Sequence, residues 1–262
     1  MPQSSLQDQV ALVTGASRGV GRGVAAALAG AGMRVFATAR SIASADLPAT
    51  VTRVPCDHTN DAQVGAVFEA IDRDAGRLDI LVNAAWGGYE RMVEDGVFTW
   101  AAPFWTQPPW RWDAMITAGV RAAFVASQEA ARRMVPARRG LIVNVSSWAA
   151  QKRIGNTIYG VAKAASDKLV SDIAVELGPH GVTAVSLYPG LVRTEAVLAA
   201  GIFDLSNSES PEFIGRAVAA MASDPSVDRW NGAVVVAAAL AHEYGFVDTD
   251  GKQPRPLSLK DV

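Results

Sequence analysis

The sequence predicts a doubly wound α/β fold around a parallel sheet of about seven strands, and three observations carry that expectation. Short apolar, β-branched runs alternate with longer stretches of helical period, which is the pattern of strand and crossover helix. The runs are nearly continuous in apolar residues, as at 141–145 where only Asn144 interrupts, and this suits strands covered by helices on both faces. The chain, at 262 residues with 50% hydrophobic and 19% charged, can bury one large core. A single domain over 1–262 is expected, with no internal repeat and no linker-like shift before the Pro-rich tail that starts at Lys252.

In chain order, strands are expected at 10–14, 34–38, 51–55, 78–82, 141–145, 183–187 and 233–236. Helices are expected at 19–31, 61–75, 112–135, 157–177 and 211–222. Asn60 with Gln63 resembles an N-cap box, and Gly32 and Gly178 are placed to close their helices. Residues 86–112 are different. They contain Trp86, Trp100, Trp105, Trp110 and Trp112 but are broken by Gly87-Gly88, Pro103 and Pro108-Pro109, so no regular helix runs through them.

Composition removes several function classes. Lys and Arg total 24 against 26 Asp and Glu, a formal charge of −2 that offers no cationic surface for nucleic acid. The one cysteine, Cys56, has no disulfide partner in the chain and no Cys/His cluster at zinc spacing around it, and His58, His180 and His242 are far from one another in sequence, so no metal is expected. The polar residues 1–9 hold no signal-peptide core, and the longest apolar run, 233–241, is far below the roughly 18 residues that cross a bilayer. A soluble, cytoplasmic protein without a membrane partner is expected.

After the first strand comes Thr14-Gly15-Ala16-Ser17-Arg18-Gly19-Val20-Gly21, a glycine turn from strand into an alanine-rich helix. Lacking Cβ atoms, Gly15, Gly19 and Gly21 let the backbone approach a pyrophosphate, whose charge is favoured by the free N–H groups of the helix start. This makes Gly15, Ser17, Arg18, Gly19, Val20 and Gly21 candidate cofactor contacts in a Rossmann-type dinucleotide site. Such sites often carry an acidic residue about 20 positions on, to hold the ribose hydroxyls of NAD. Here the second strand ends in Arg40, which would attract the 2′-phosphate of NADP, with Arg18 as a second cation. Both arginines are also compatible with a solvated surface.

Tyr159-Gly160-Val161-Ala162-Lys163 puts a phenol and an ammonium on one helical face. A lysine cation, helped by an oxidised nicotinamide, would stabilise phenolate and bring Tyr159 into range for general acid-base work. Ser146-Ser147 stands twelve residues upstream at a strand C-terminal end, where ligands bind in open α/β sheets.

With these motifs, Asp57 after the third strand, Asn83-Ala84-Ala85 after the fourth, and Pro189-Gly190-x-Val192-x-Thr194, the sequence resembles the short-chain dehydrogenase/reductase family over essentially its whole length. The resemblance implies that Tyr159 passes a proton to the substrate oxygen, Lys163 holds the nicotinamide ribose, and Ser147 positions the carbonyl. It implies further that Asp57 contacts adenine, Asn83 the adenosine ribose region, and Val192 with Thr194 the nicotinamide carboxamide, with Pro189 and Gly190 as further cofactor-site residues. In the family the helices at 112–135 and 157–177 pair across a two-fold axis, so a homodimer or homotetramer is implied.

Two departures from the family pattern stand out. Gly119 occupies the place where most relatives carry an asparagine that anchors a water in the proton relay, and Trp86 stands where a glycine is usual. With Phe104-Trp105, Val120-Arg121 and the late Ala241-His242-Glu243-Tyr244-Gly245, they resemble the branch represented by dehydrogenase/reductase family member one. That branch implies NADPH-dependent reduction of carbonyl compounds. The resulting expectation is an NADP(H)-dependent oxidoreductase acting on a small-molecule ketone or its secondary alcohol. Residues 86–112 would either form a wall or lid of the substrate pocket, with Trp105 as its probe, opposite residues 191–207 of the substrate segment 191–212, or pack as a small core of their own; 245–262 would form the tail. A nucleotide-binding regulatory or scaffold protein that has lost turnover is the alternative. A nucleotide-sugar epimerase or dehydratase would want a larger C-terminal part.

Overall fold

A computed structural model describes residues 6–262; the first five residues of the polar stretch 1–9 lie outside the described residues. Seven strands form the main sheet: β1 Val10–Thr14, β2 Arg34–Ala39, β3 Thr52–Pro55, β4 Ile80–Asn83, β5 Gly140–Val145, β6 Val182–Tyr188 and β7 Val234–Val236. Their spatial order is β7-β6-β5-β4-β1-β2-β3, and every pairing is parallel. The order reverses between β1 and β4. That reversal leaves a crevice above the strand C-termini in which an open α/β sheet receives its ligand.

Alternation along each strand feeds two cores. Ala11 and Val13 of β1 pack with Val24, Leu28, Phe213 and Val218, which belong to helices α1 (Gly19–Gly30) and α7 (Pro211–Ala222). Val10 and Leu12 point to the other face, with Val64, Phe68, Met134 and Val170 of helices α2 (Asp61–Ala75), α4 (Ala122–Ala137) and α5 (Thr157–Leu177). Caps fix the helix starts. Asn60 Oδ1 accepts from Gln63 N–H at 3.2 Å, while the Gln63 side chain accepts instead from Asp57 N–H at 2.8 Å, so only half of the expected box forms.

Two expectations need correction, and two helices were not expected. Gly178 is not a left-handed helix stop, because its φ is −53° and the chain continues through a 3₁₀ turn, Gly178–His180, to Gly181 at φ +72°. Gly178 is small for another reason: a Cβ there would lie 2.9 Å from Asn231 Nδ2, whose amide bridges α5 and β6. The helix expected at 112–135 starts at Pro109 as α3 (Pro109–Met115), passes through a π turn at Ile116–Arg121 and runs on as α4. The apolar run that begins with β7 turns into a helix, α8 (Ala237–Tyr244), and a short α6 (Glu195–Ala200) precedes α7.

The tail folds back on the segment after β6. Asp248, only 2% exposed, accepts from Ser210 N–H and from Arg193 Nη2, both at 2.8 Å. No helix among the described residues is long and apolar enough to cross a membrane.

Candidate active site

A cleft of about 1040 Å³ opens at the C-terminal edge of the sheet, where the ends of β1, β2, β4, β5 and β6 converge. Thr14 Oγ1 accepts from the Ala84 and Ala85 N–H groups, each at 3.1 Å, and so pins the glycine turn to the end of β4. Gly15 has φ +67°, and a Cβ there would stand 2.6 Å from the Ala84 carbonyl oxygen. Only glycine allows both the conformation and the approach. Helix α1 begins without a side-chain cap. Its Gly19 N–H donates to Glu195 Oε2 at 2.9 Å, and Arg22 Nη2 lies 3.1 Å from Glu195 Oε1. A carboxylate therefore sits where the helix start attracts an anion. Ser17, Arg18, Val20 and Gly21 line the same end of the cleft, and Arg40 and Asp57 line its far rim.

Asp57 Oδ1 accepts from Thr59 N–H at 3.0 Å and from Thr59 Oγ1 at 2.8 Å. These bonds, with the charge of Arg40, hold its carboxyl below the usual range. Beneath it His58 Nε2 lies 2.8 Å from Thr38 Oγ1, and burial lowers its pKa to about 4. The Asn83 side chain is turned away from the cleft: its Nδ2 donates to Asn144 Oδ1 at 2.7 Å and to Ser127 Oγ at 3.0 Å, tying β4 to its neighbours.

At the other end, Ser147 caps a 3₁₀ turn, Trp148–Ala150, its Oγ accepting from Ala149 N–H at 3.3 Å. Asn156 Oδ1 accepts from Tyr159 N–H at 2.8 Å, and this cap starts α5 so that Tyr159 and Lys163 share the face lining the cleft. Lys163 is 5% exposed and donates from Nζ to the Val145 carbonyl at 3.0 Å. Burial lowers its pKa to about 7, against the pull of Asp167 one turn on. The Tyr159 phenol is raised by burial, and hydrogen bonds from Ser147 and Tyr89 pull it back. The sequence reading expected Lys163 to lower Tyr159; among the protein's own groups desolvation wins, with the ammonium 5.7 Å from the ring centroid.

Pro189 and Gly190 follow β6 and line the cleft. Gly190 N–H donates to Glu209 Oε2 at 2.8 Å, and burial pushes that carboxyl up to about 7. Val192 is 8% exposed, and Thr194 Oγ1 caps α6 by accepting from Val197 N–H at 3.4 Å.

The segment 86–112 is divided in its roles. Trp86, Tyr89 and Met92 line the cleft, and Tyr159 meets Trp86 edge-on at 5.8 Å and Trp100 at 5.4 Å between ring centroids. Arg111, fully buried, ties the segment together: it donates to Thr99 Oγ1 at 2.9 Å and to the Arg91 carbonyl at 2.9 Å, and its guanidinium lies 5.0 Å from the Trp110 ring. Trp105 is not in the wall. It is 75% exposed and packs on Phe104 outside the cleft. Sequence reasoning also passed over Glu195 and Glu209. It saw Trp86 and Gly119 as separate oddities, whereas a Cβ on Gly119 would stand 2.6 Å from Trp86 Cζ3.

Residues 9–201 match the family described as short chain dehydrogenase. The chain is 40% identical over 270 aligned positions to Dehydrogenase/reductase SDR family member 1 of Mus musculus, covering 94% of this chain and 85% of the mouse protein. Against the Homo sapiens protein of the same name the identity is 38%, covering 98% and 88%. In structure, the chain resembles a 3-ketoacyl-(acyl-carrier-protein) reductase from Brucella melitensis solved with NADH. The TM-score is 0.76 at 23% identity, with 88% and 97% of the two chains covered.

Proposed function

The chain belongs to the short-chain dehydrogenase/reductase family, and from that premise we propose that it is an NADP(H)-dependent oxidoreductase that interconverts an apolar ketone and its secondary alcohol. One observation carries the reading: Ser147, Tyr159 and Lys163 line one end of the cleft whose other end is the glycine turn. The turn suits a pyrophosphate, since Gly15 has no room for a Cβ and the start of α1 already holds a carboxylate. Arg18 and Arg40 at the rim support a preference for the 2′-phosphate form.

Bound there, the nicotinamide supplies or accepts the hydride. The chain's own residues do the rest. Tyr159 Oη gives the proton to the carbonyl oxygen during reduction and takes it back during oxidation. Ser147 Oγ orients that oxygen, and Lys163, with its ammonium 5.7 Å from the phenol ring centroid, would hold the ribose hydroxyls and offset the cost of a buried phenolate. Trp86, Tyr89 and Met92 give the substrate end an apolar wall, which favours a ketone with a bulky apolar group.

The presence of Ser147, Tyr159 and Lys163 in one cleft argues against a scaffold protein that has lost turnover. Phe124, Val161 and Val175 are exposed on α4 and α5, in keeping with a homodimer or homotetramer built on these helices. The working compartment is the reducing cytoplasm, where the buried Cys56 thiol stays free. The test is a panel of carbonyl compounds with NADPH, followed by loss of the reduced-nicotinamide absorbance. Reduction of apolar ketones supports the proposal, and inactivity across the panel with intact NADPH binding favours the scaffold reading.

A further inference from the structure

Lys163 is a buried cation with sparse polar support. Its Nζ donates to the Val145 carbonyl at 3.0 Å, and the charged or titratable groups that face it are Asp167, one turn along α5, and the Tyr159 phenol. The closest large group is aromatic: the Trp86 ring centroid lies 3.7 Å from Nζ. A cation over an indole face is attracted by the ring quadrupole, most strongly where water is excluded.

The ring is placed for its face and not for its N–H, because Trp86 Nε1 is buried without an acceptor. Its six-membered edge fills the space over Gly119 in the π turn, where a Cβ would lie 2.6 Å from Cζ3 and 2.7 Å from Cε3. Any side chain at 119 must push the ring off the lysine. The tryptophan and the glycine, 33 positions apart in the chain, are two halves of one arrangement.

We propose that Trp86 is the positioning residue for Lys163: its indole face holds the ammonium against the Val145 carbonyl, and Gly119 is glycine to give the ring that place. The arrangement closes the flank of Lys163 that faces the π turn, so protons reach Tyr159 from the cleft. The functional consequence rests on the proposed role of Lys163; the placement itself does not.

The test uses the full chain and four variants: Trp86→Phe, Trp86→Leu, Gly119→Ala, and Trp86→Leu with Gly119→Ala. With ¹³C at the lysine ε positions, the Lys163 signal is expected upfield in the wild type and in Trp86→Phe, through the ring current. In Trp86→Leu and Gly119→Ala it is expected at the ordinary lysine position. At saturating ketone, turnover by Trp86→Leu is expected to fall about tenfold and turnover by Trp86→Phe about threefold, with KM free to move in both because Trp86 also lines the substrate wall. Gly119→Ala should match Trp86→Leu, and the double variant should be no worse than Trp86→Leu alone.

An aliphatic replacement that serves as well as phenylalanine, or independent losses that multiply in the double variant, would show that the ring is only packing. An ordinary Lys163 signal in the wild type sinks the placement whatever the activity. A shifted signal in a chain that reduces no ketone supports the placement and overturns the oxidoreductase reading instead. Should Trp86→Leu melt early, the comparison of Trp86→Phe with Gly119→Ala decides alone.

Discussion

The glycine turn that follows Thr14 and the aromatic segment that begins at Trp86 face each other across one cleft, joined by the bonds from Ala84 and Ala85 to Thr14 Oγ1. The first wall is made of backbone. Its defining residues are there for what they lack, since Gly15 and Gly21 would each drive a Cβ to within 2.6 Å of main-chain atoms. The second wall is made of side-chain volume, with Trp86, Tyr89 and Trp100 packed round Tyr159 and Arg111 clamping the loop from behind. A wall of backbone tolerates few solutions and so carries a spacing that can be read. A wall of side chains can be built in many ways, and its logic shows only when the pieces meet.

Tyr159→Phe strikes the second wall while sparing the first. Turnover is expected to fall by roughly 10²- to 10⁴-fold, with NADPH affinity unchanged by calorimetric titration. A variant that keeps wild-type turnover would mean that another group carries the proton.

His58 probes the floor under the first wall. Its pKa is near 6.5 when unfolded and about 4 when buried against Thr38, so the unfolded chain binds the extra proton as pH falls. Stability should therefore drop between pH 6.5 and 4, by up to about 3 kcal/mol from this group, and stay level below. Chemical denaturation across that window should show a shallower slope in His58→Asn. Equal slopes would place the acid sensitivity elsewhere.

Arg40→Ala touches only the rim of the first wall. NADPH is expected to bind at least tenfold more tightly than NADH, a difference of about 1.4 kcal/mol, and the substitution should remove most of that gap. Equal cofactor affinities in the wild type would eliminate the 2′-phosphate clamp. The smallest effect belongs to Trp105→Ala, beyond both walls. With the side chain 75% exposed, melting temperature, KM and kcat should all stay near wild type, within about 0.5 kcal/mol. A selective rise in KM for large ketones would return this tryptophan to the pocket.

Most of the sheet is legible in the sequence, because parallel strands covered on both faces leave short β-branched apolar runs, and only the run at 233–241 misleads by passing into a helix. The motif residues are legible in the same way, and the structure gathers most of them along one cleft. Asn83 shows the limit. Its position after β4 is readable, but that its amide turns inward to Asn144 and Ser127 depends on strands that meet only in the fold. Gly178 misleads because a glycine after a helix usually marks a left-handed stop, whereas here it makes room for Asn231 from a distant loop. Trp105 misleads for a related reason: an aromatic side chain in a loop advertises burial, and only the clamp formed by Arg111 decides which rings are turned in.

Glu195 makes any phosphate that seats on Gly19 a displacing ligand. Its carboxylate is tethered to the chain and holds both the Gly19 N–H and Arg22, so an incoming anion competes with a group of high effective concentration. The measured affinity for a dinucleotide is then an exchange free energy, and Glu195→Gln should raise it. The exchange also acts on the far side of the cleft, because Glu195 opens α6 in the segment that borders the substrate end. Releasing that one carboxylate would free the start of α6 from the start of α1, so a ligand seated on the glycine turn would also loosen the segment that follows Thr194.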